Sequence, residues 1–246
     1  MPSPCRPFTV LACDQRSGAG RLTGSRAFAA FGTTKAGQWS ANRKDLKVQL
    51  VLERLTGQPQ ERAVGGYEVR DGIARAPLAK FAYECAQGVI LHDVGFVSDN
   101  EIPIGCSPDA VIGDFEGLVS VKAPKASTHL ATLQAYHAWQ RRIREAGRLA
   151  NSNARVAAHL AISLDKPWVK LIPEEYRFQI IHELYCTGAD WCEYMSYHPD
   201  FASHGLDSVI VRVTRDDFHL DEYETLVREF LAEVDADYEL VLEMAS

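Results

Sequence analysis

Between Val89 and Pro124 the chain stops repeating at helical intervals and begins to alternate. The run VILHDVGFVSDNEIPIGCSPDAVIGDFEGLVSVKAPK sets short apolar stretches between Gly, Asn, Asp and Pro turns, as strands joined by tight connections do. Strands are expected near Val89–Gly95, Ile104–Pro108, Asp109–Ile112 and Gly117–Lys122. Helical patterns stand on both sides. A short helix is expected within GRLTGSRAFAAFG, capped by Thr23 or Ser25 and ended by Gly32, followed by a helix over DLKVQLVLERLTG that Gly57 stops. The segment from Gln58 to Gly66 reads as a turn-rich linker. A further helix is expected from about Ile73 to Gln87 with Pro77 near its start, and another over HLATLQAYHAWQRRIREAG. PEEYRFQIIHELYCTG reads as a helix that Pro173 opens and Gly188 closes. RVAAHLAISL fits a strand or a short buried helix, with strand preferred. WCEYMSYHP and SVIVRVTR read as strands, and a long acidic helix is expected from about Asp221 to Glu243. The fold class is therefore α/β, with a central mixed β-sheet flanked by helices. At 246 residues the chain suits one domain, 1–246.

Composition removes several functions. The net charge of -7, weighted by the acidic stretch from Asp216 to Glu243, argues against a general nucleic-acid coat, yet a single groove can still concentrate positive charge. No stretch approaches the roughly 18 apolar residues of a membrane span, and the start lacks a convincing secretory signal. The 6 cysteines form no CxxC pair, as expected of reduced thiols in a cytoplasmic protein. Zinc-ligand spacing, a phosphate-binding P-loop and a dinucleotide fingerprint are all missing from the sequence.

GLVSVKAP carries the chemistry. Period two puts Val119 and Val121 on one face and Ser120 and Lys122 on the other. Asp109 follows the Ser107–Pro108 turn, where its carboxylate can be aimed at the polar face of the neighbouring strand. A carboxylate that holds a hard cation beside a lysine that orients water suits phosphodiester hydrolysis. Taken alone, a turn aspartate and an exposed strand lysine explain the same residues as well.

The run GFVSDNEIPIGCSPDAVIGDFEGLVSVKAP resembles the central motif of the phage-type recombination exonucleases, the YqaJ or lambda-exonuclease family of the PD-(D/E)xK, restriction-endonuclease-like superfamily. RLTGSR, VLERLTG, GIARAPLAKFAYE and IPEEYRFQIIHELYCTGADWCEYMSYHPDF resemble further family motifs, in the same order. The resemblance implies a restriction-endonuclease-like core, with Asp109 as metal-binding aspartate, Lys122 as catalytic lysine and Gln179 as the glutamine bordering the active centre. Arg21, or with less support Arg26, takes the part of the arginine that grips DNA phosphate. Ser25 belongs to the same substrate-binding motif, and Tyr176 and His182 are expected to line the groove beside Gln179. Mg²⁺, with Mn²⁺ as a substitute, is the implied cofactor. Double-stranded DNA ends, a single-strand annealing protein and a homotrimeric ring are the implied partners and assembly.

Two positions depart from the family pattern. Ser120 stands where a glutamate is expected two residues before the lysine, and Ala76 where helix two carries another. Fewer charged ligands weaken a hard-ion site, so two readings follow. One is a 5′-to-3′ double-stranded DNA exonuclease with a relocated carboxylate, for which Glu116 is the nearest candidate and Asp114 and Glu84 are others. The other is a catalytically impaired relative that binds DNA or protein. The segment around 130–170 reads as a helical insertion. Lys35, Arg43, Lys44 and Lys47 either track DNA or form a solvated helix face, and Trp39 stands in a polar loop.

Overall fold

The computed structural model describes residues 7–12, 16–60, 67–149 and 151–244; residues 61–66 of the expected linker, and Cys5 and Cys13, lie outside them. The chain enters through β1 (Phe8–Leu11) and β2 (Leu22–Thr23). It then turns through a 3-10 segment (Gly24–Arg26) into α1 (Ala27–Phe31), α2 (Ala41–Thr56) and α3 (Tyr67–Gln87). Strands β3 (Phe96–Asp99), β4 (Ile104–Cys106), β5 (Ala110–Ile112) and β6 (Gly117–Lys122) follow. Next come the helices α4 (Ala126–Gly147), α5 (Ser152–Asp165), α6 (Pro167–Lys170) and α7 (Glu174–Thr187). β7 (Trp191–Tyr197), β8 (Ser208–Thr214) and α8 (Leu220–Glu243) complete the fold.

The strands form two four-stranded mixed sheets, ordered β1-β3-β4-β2 and β5-β6-β7-β8. The division falls at Ser107–Asp109, where Pro108 has no amide proton to give a ladder. β6 lies inside the second sheet, antiparallel to β5 and parallel to β7 from Gly117↔Trp191 to Lys122↔Ser196. Its two faces serve different layers. Val119 and Val121 pack with Ala79 and Tyr83 of α3, whereas Leu118 packs with Ile180 and Leu184 of α7. Period two then places Ser120 and Lys122 on the α7 side.

Three expected elements differ. The first strand of the central region lies at Phe96–Asp99, and only a bridge between His92 and Val111 touches the segment expected to be a strand at Val89–Gly95. RVAAHLAISL is helical: the Asn151 side chain accepts from the amides of Asn153 and Ala154 at 2.9 and 3.1 Å and starts α5. The third difference is in α3, which begins at Tyr67 and keeps Pro77 in its interior. Gly72 and Pro77 lower its propensity enough to make its start read late.

A buried ion pair fixes the N-terminal turn on α2. Glu53 accepts both guanidinium arms of Arg26, at 2.8 and 2.7 Å, and the amides of Gly20 and Gln60, each at 2.8 Å. The basic run is consumed nearby. Arg43 bonds Glu233 at 2.6 Å with its guanidinium 4.7 Å from both the Trp39 and Phe230 rings, and Lys47 meets Asp237 at 3.1 Å. Arg43 and Lys47 of that run therefore stitch α2 to α8.

Burial works to raise the Glu53 carboxyl, but Arg26 and the two amides outweigh it and hold the group below the usual carboxylate value of 4.5. A lowered value in the folded state means the stabilisation is complete above that range and is lost as pH falls through it. Glu53→Gln should cost about 3–5 kcal/mol at pH 7, as one-sided removal of a buried pair does. The deficit should shrink towards pH 3, which chemical denaturation at the two pH values would show.

Candidate active site

Asp109 leaves the Pro108 turn just ahead of β5, and its Oδ2 accepts from the Val121 amide at 2.9 Å and from Lys122 Nζ at 3.0 Å. The acid and the amine therefore share one side of the sheet, and both side chains keep solvent access, at 33% and 16%. The Lys122 ammonium also lies 5.3 Å from the centre of the Tyr176 ring. Burial alone would depress the lysine, but the charges of Asp109 and then Glu183 hold it above its ordinary value. Lys122 is thus a proton-bearing donor rather than a base.

Helix α7 lays Tyr176, Gln179, Ile180, Glu183 and Leu184 along one stripe, at the spacing that shares a helix face. Gln179 Nε2 donates to Glu183 Oε1 at 2.8 Å. Glu183 is only 1% exposed, and its second oxygen has no hydrogen-bond partner. Burial and the Asp109 charge push its carboxyl up to about 7, against the pull of Lys122, Gln179 and His182. Ser120 is wholly buried and its hydroxyl is likewise unpartnered. A cavity of about 320 Å³ opens beside these groups, lined by Thr23, Ser25, Arg26, Ser107, Gln179 and Glu183. Gly24 closes against it: a Cβ there would stand 3.4 Å from Gln179 Cγ and 3.5 Å from Glu183 Cγ.

Asp109, Lys122, Gln179 and Tyr176 thus come together, and Ser25 lies on the cavity rim. Arg26 lines the cavity, but its guanidinium is engaged by Glu53 and the Arg21 carbonyl. Arg21 Nη1 reaches the Ile104 carbonyl at 3.5 Å. Ala76 lies one turn before Ala79, on the helix that packs against the Val119–Val121 face. Glu116 stands next to Gly117 at the far end of β6 from Lys122, about 20 Å away at strand rise. Glu84 caps the Leu91 amide at 2.8 Å instead. His182 does not line the groove: it is buried on another face of α7, bonded to Tyr223 Oη at 2.7 Å and near the Gly105 carbonyl at 3.2 Å. Glu183 escaped the sequence reading, although a lone carboxylate in the apolar run IIHELYC was the available signal.

Among the described residues no three His, Cys, Asp or Glu side chains converge as a metal cluster. The donors present are nevertheless all oxygen: the Asp109 carboxylate, the free Glu183 oxygen and the Ser120 hydroxyl. That set fits a hard cation such as Mg²⁺, which takes one or two carboxylates and keeps several waters. In the metal-free protein Glu183 carries its charge only at a cost. A raised carboxyl contributes fully below its unfolded value of 4.5 and loses that contribution as pH rises through about 7. Glu183→Gln should therefore stabilise the metal-free chain by roughly 2–3 kcal/mol at pH 8, with little gain at pH 4.5, in thermal melts with chelator.

Solved structures resemble the whole fold. An alkaline exonuclease from Laribacter hongkongensis, LHK-Exo, is 27% identical with a TM-score of 0.67, over 94% of this chain and 96% of that one. The same exonuclease in complex with dAMP gives 25% identity and a TM-score of 0.70 over the same shares. A phage related exonuclease from Haemophilus somnus 129PT, 12% identical with a TM-score of 0.56 over 92% and 96% of the two chains, shares the fold. No curated protein sequence matches the chain. A model of the YqaJ-like viral recombinase domain matches residues 14–190, most of the chain, and the chain belongs to that family.

Proposed function

We propose that this protein is a divalent-cation-dependent exonuclease that acts on the ends of linear double-stranded DNA and removes one strand 5′ to 3′ in phage-type recombination. The observation that carries the reading is the contact between Asp109 and Lys122 at 3.0 Å, with both side chains keeping solvent access. Family membership and the likeness to alkaline exonucleases support the nuclease class. The family generally uses divalent metal ions.

A bound Mg²⁺ or Mn²⁺ would polarise the scissile phosphate and acidify a water. Asp109 would hold the cation. Lys122, kept protonated, donates to the attacking water or to the phosphate oxygens as negative charge develops on them. Tyr176 offers its ring to the ammonium and limits where that ammonium can swing. Gln179 borders the site and fixes the Glu183 carboxylate by one oxygen. Ser25, in the 3-10 turn, lines the cavity and would bind a terminal phosphate entering it, with Arg21, just before β2, as the arginine that grips phosphate. A partner that anneals single strands, a trimeric assembly and a cytoplasmic setting belong to the same reading.

Ser120 and Ala76 favour a second reading. With neither position acidic, the chain would keep DNA or protein binding and lose cleavage. Digestion of 5′-phosphorylated linear duplex with Mg²⁺ or Mn²⁺ decides between them. The exonuclease reading expects shortening of one strand, and a fall of about a hundredfold or more in Asp109→Ala and Lys122→Ala. Duplex left intact at high protein concentration by a folded chain would establish the non-catalytic reading.

A further inference from the structure

Helix α7 supplies a carboxylate where β6 has none. α7 ends at Thr187, capped by Gly188, and β7 starts at Trp191 opposite Gly117, so α7 runs antiparallel to β6. Tyr176 marks the Lys122 level, since its ring lies 5.3 Å from the ammonium. Seven residues further along the helix, Glu183 has descended about 10.5 Å, which on a strand corresponds to about three residues. Its backbone is therefore level with the stretch between Ser120 and Leu118. Helix side chains lean towards the N-terminus, so the long glutamate reaches back to the Ser120–Lys122 level. The charges of Asp109 and Lys122 both act on its carboxyl, in agreement with that direction.

The buried acids of the strands, Glu193 and Asp99, are already committed. Glu193 is held by Tyr83 Oη at 2.6 Å and Arg212 at 2.8 Å, and Asp99 takes the amides of Glu101 and Ile102. Among the described residues, Glu183 Oε2 is the buried carboxylate oxygen left without a partner, and Ser120 Oγ is a second orphan on the facing strand. Buried polar atoms are almost always satisfied, and an orphan commonly marks an absent water or ion.

We propose that Glu183 is the second carboxylate ligand of the divalent cation, delivered from α7 to the place that Ser120 leaves without charge, with the Ser120 hydroxyl as a neutral neighbour. Gln179 holds Oε1, which leaves Oε2 for the ion. This rests on the nuclease reading above.

The test is equilibrium Mn²⁺ binding by calorimetry on the full chain. Glu183→Gln should weaken binding roughly tenfold or more, as Asp109→Asn should, because hard-ion affinity follows the number of charged ligands. Glu116→Gln should bind like the parent. Adding Ser120→Glu to Glu183→Gln should recover the lost affinity. If Glu183→Gln binds within twofold of the parent while Asp109→Asn loses binding, the second ligand is elsewhere: the inference fails and the nuclease reading stands. If the parent binds no Mn²⁺ at millimolar concentration, the inference fails, and absent cleavage in the same preparation would remove the nuclease reading too. A measurement on the unsubstituted chain covers the case of variants that fail to fold. Fe²⁺ in place of Mn²⁺, with ascorbate and peroxide, should cut the backbone both near Asp109 and in α7 around Glu183; cuts near Asp109 without cuts in α7 would overturn the proposal.

Discussion

The packing of α7 across one face of β6 positions everything else in the site. β6 is buried on both sides, and its alternation gives Val119 and Val121 to α3 and Leu118, Ser120 and Lys122 to α7. A strand cannot slip by one residue without exchanging those faces. The apolar contacts of Leu118 with Ile180 and Leu184 therefore fix where Lys122 and Glu183 stand relative to each other. Asp109 is added from the adjoining strand through the Pro108 turn, and its bond to the Val121 amide locks it to the same register. Chemistry placed by a hydrophobic contact and a backbone amide survives loss of individual ligands, because neither the contact nor the amide depends on a metal.

The strand that carries the lysine was plain in the sequence because period two and flanking turns agree over GLVSVKAP, and β6 occupies Gly117–Lys122. The same agreement located α7, where Pro173, Glu174 and Glu175 open a helix that Gly188 closes. Legibility failed where local signals competed. Alanine-rich RVAAHLAISL carries no period strong enough to choose, and the Asn151 cap decided for helix. Its apolar residues Val156, Leu160 and Leu164 remain exposed, so burial supplied no pattern to read.

Glu183 was hard to read for a different reason. A glutamate in a helix ordinarily marks the solvated face, so its apolar neighbours are a weak signal until tertiary packing shows that it is sealed. His182 shows the converse. Its position next to the stripe put it near the groove on paper, but one residue on a helix is a turn of about 100°, which carries it to Tyr223 and Gly105 instead. The basic run on α2 was ambiguous in the same sense: the charges of Arg43 and Lys47 are explained by Glu233 and Asp237 of α8, acids nearly two hundred residues away in sequence.

A sealed carboxylate with one unsatisfied oxygen opposes folding, and nothing in the α7 stripe requires an acid for packing: Ile180 and Leu184 already fill the apolar layer. Proteins keep such liabilities chiefly where function uses them. The buried ion pair of Glu53 makes the contrast. There every carboxylate oxygen is met by a guanidinium or an amide, and the group is held below its ordinary range. Glu183 has one amide donor, two nearby charges of opposite sign, and a carboxyl pushed the other way. The first arrangement is complete without any ion. The second would be completed by a cation between Glu183 and Asp109, which would offset the repulsion between the two acids and satisfy the free oxygen at once. One chain thus carries both kinds of buried glutamate, and the difference in their partners separates the one that holds the fold from the one the site can use.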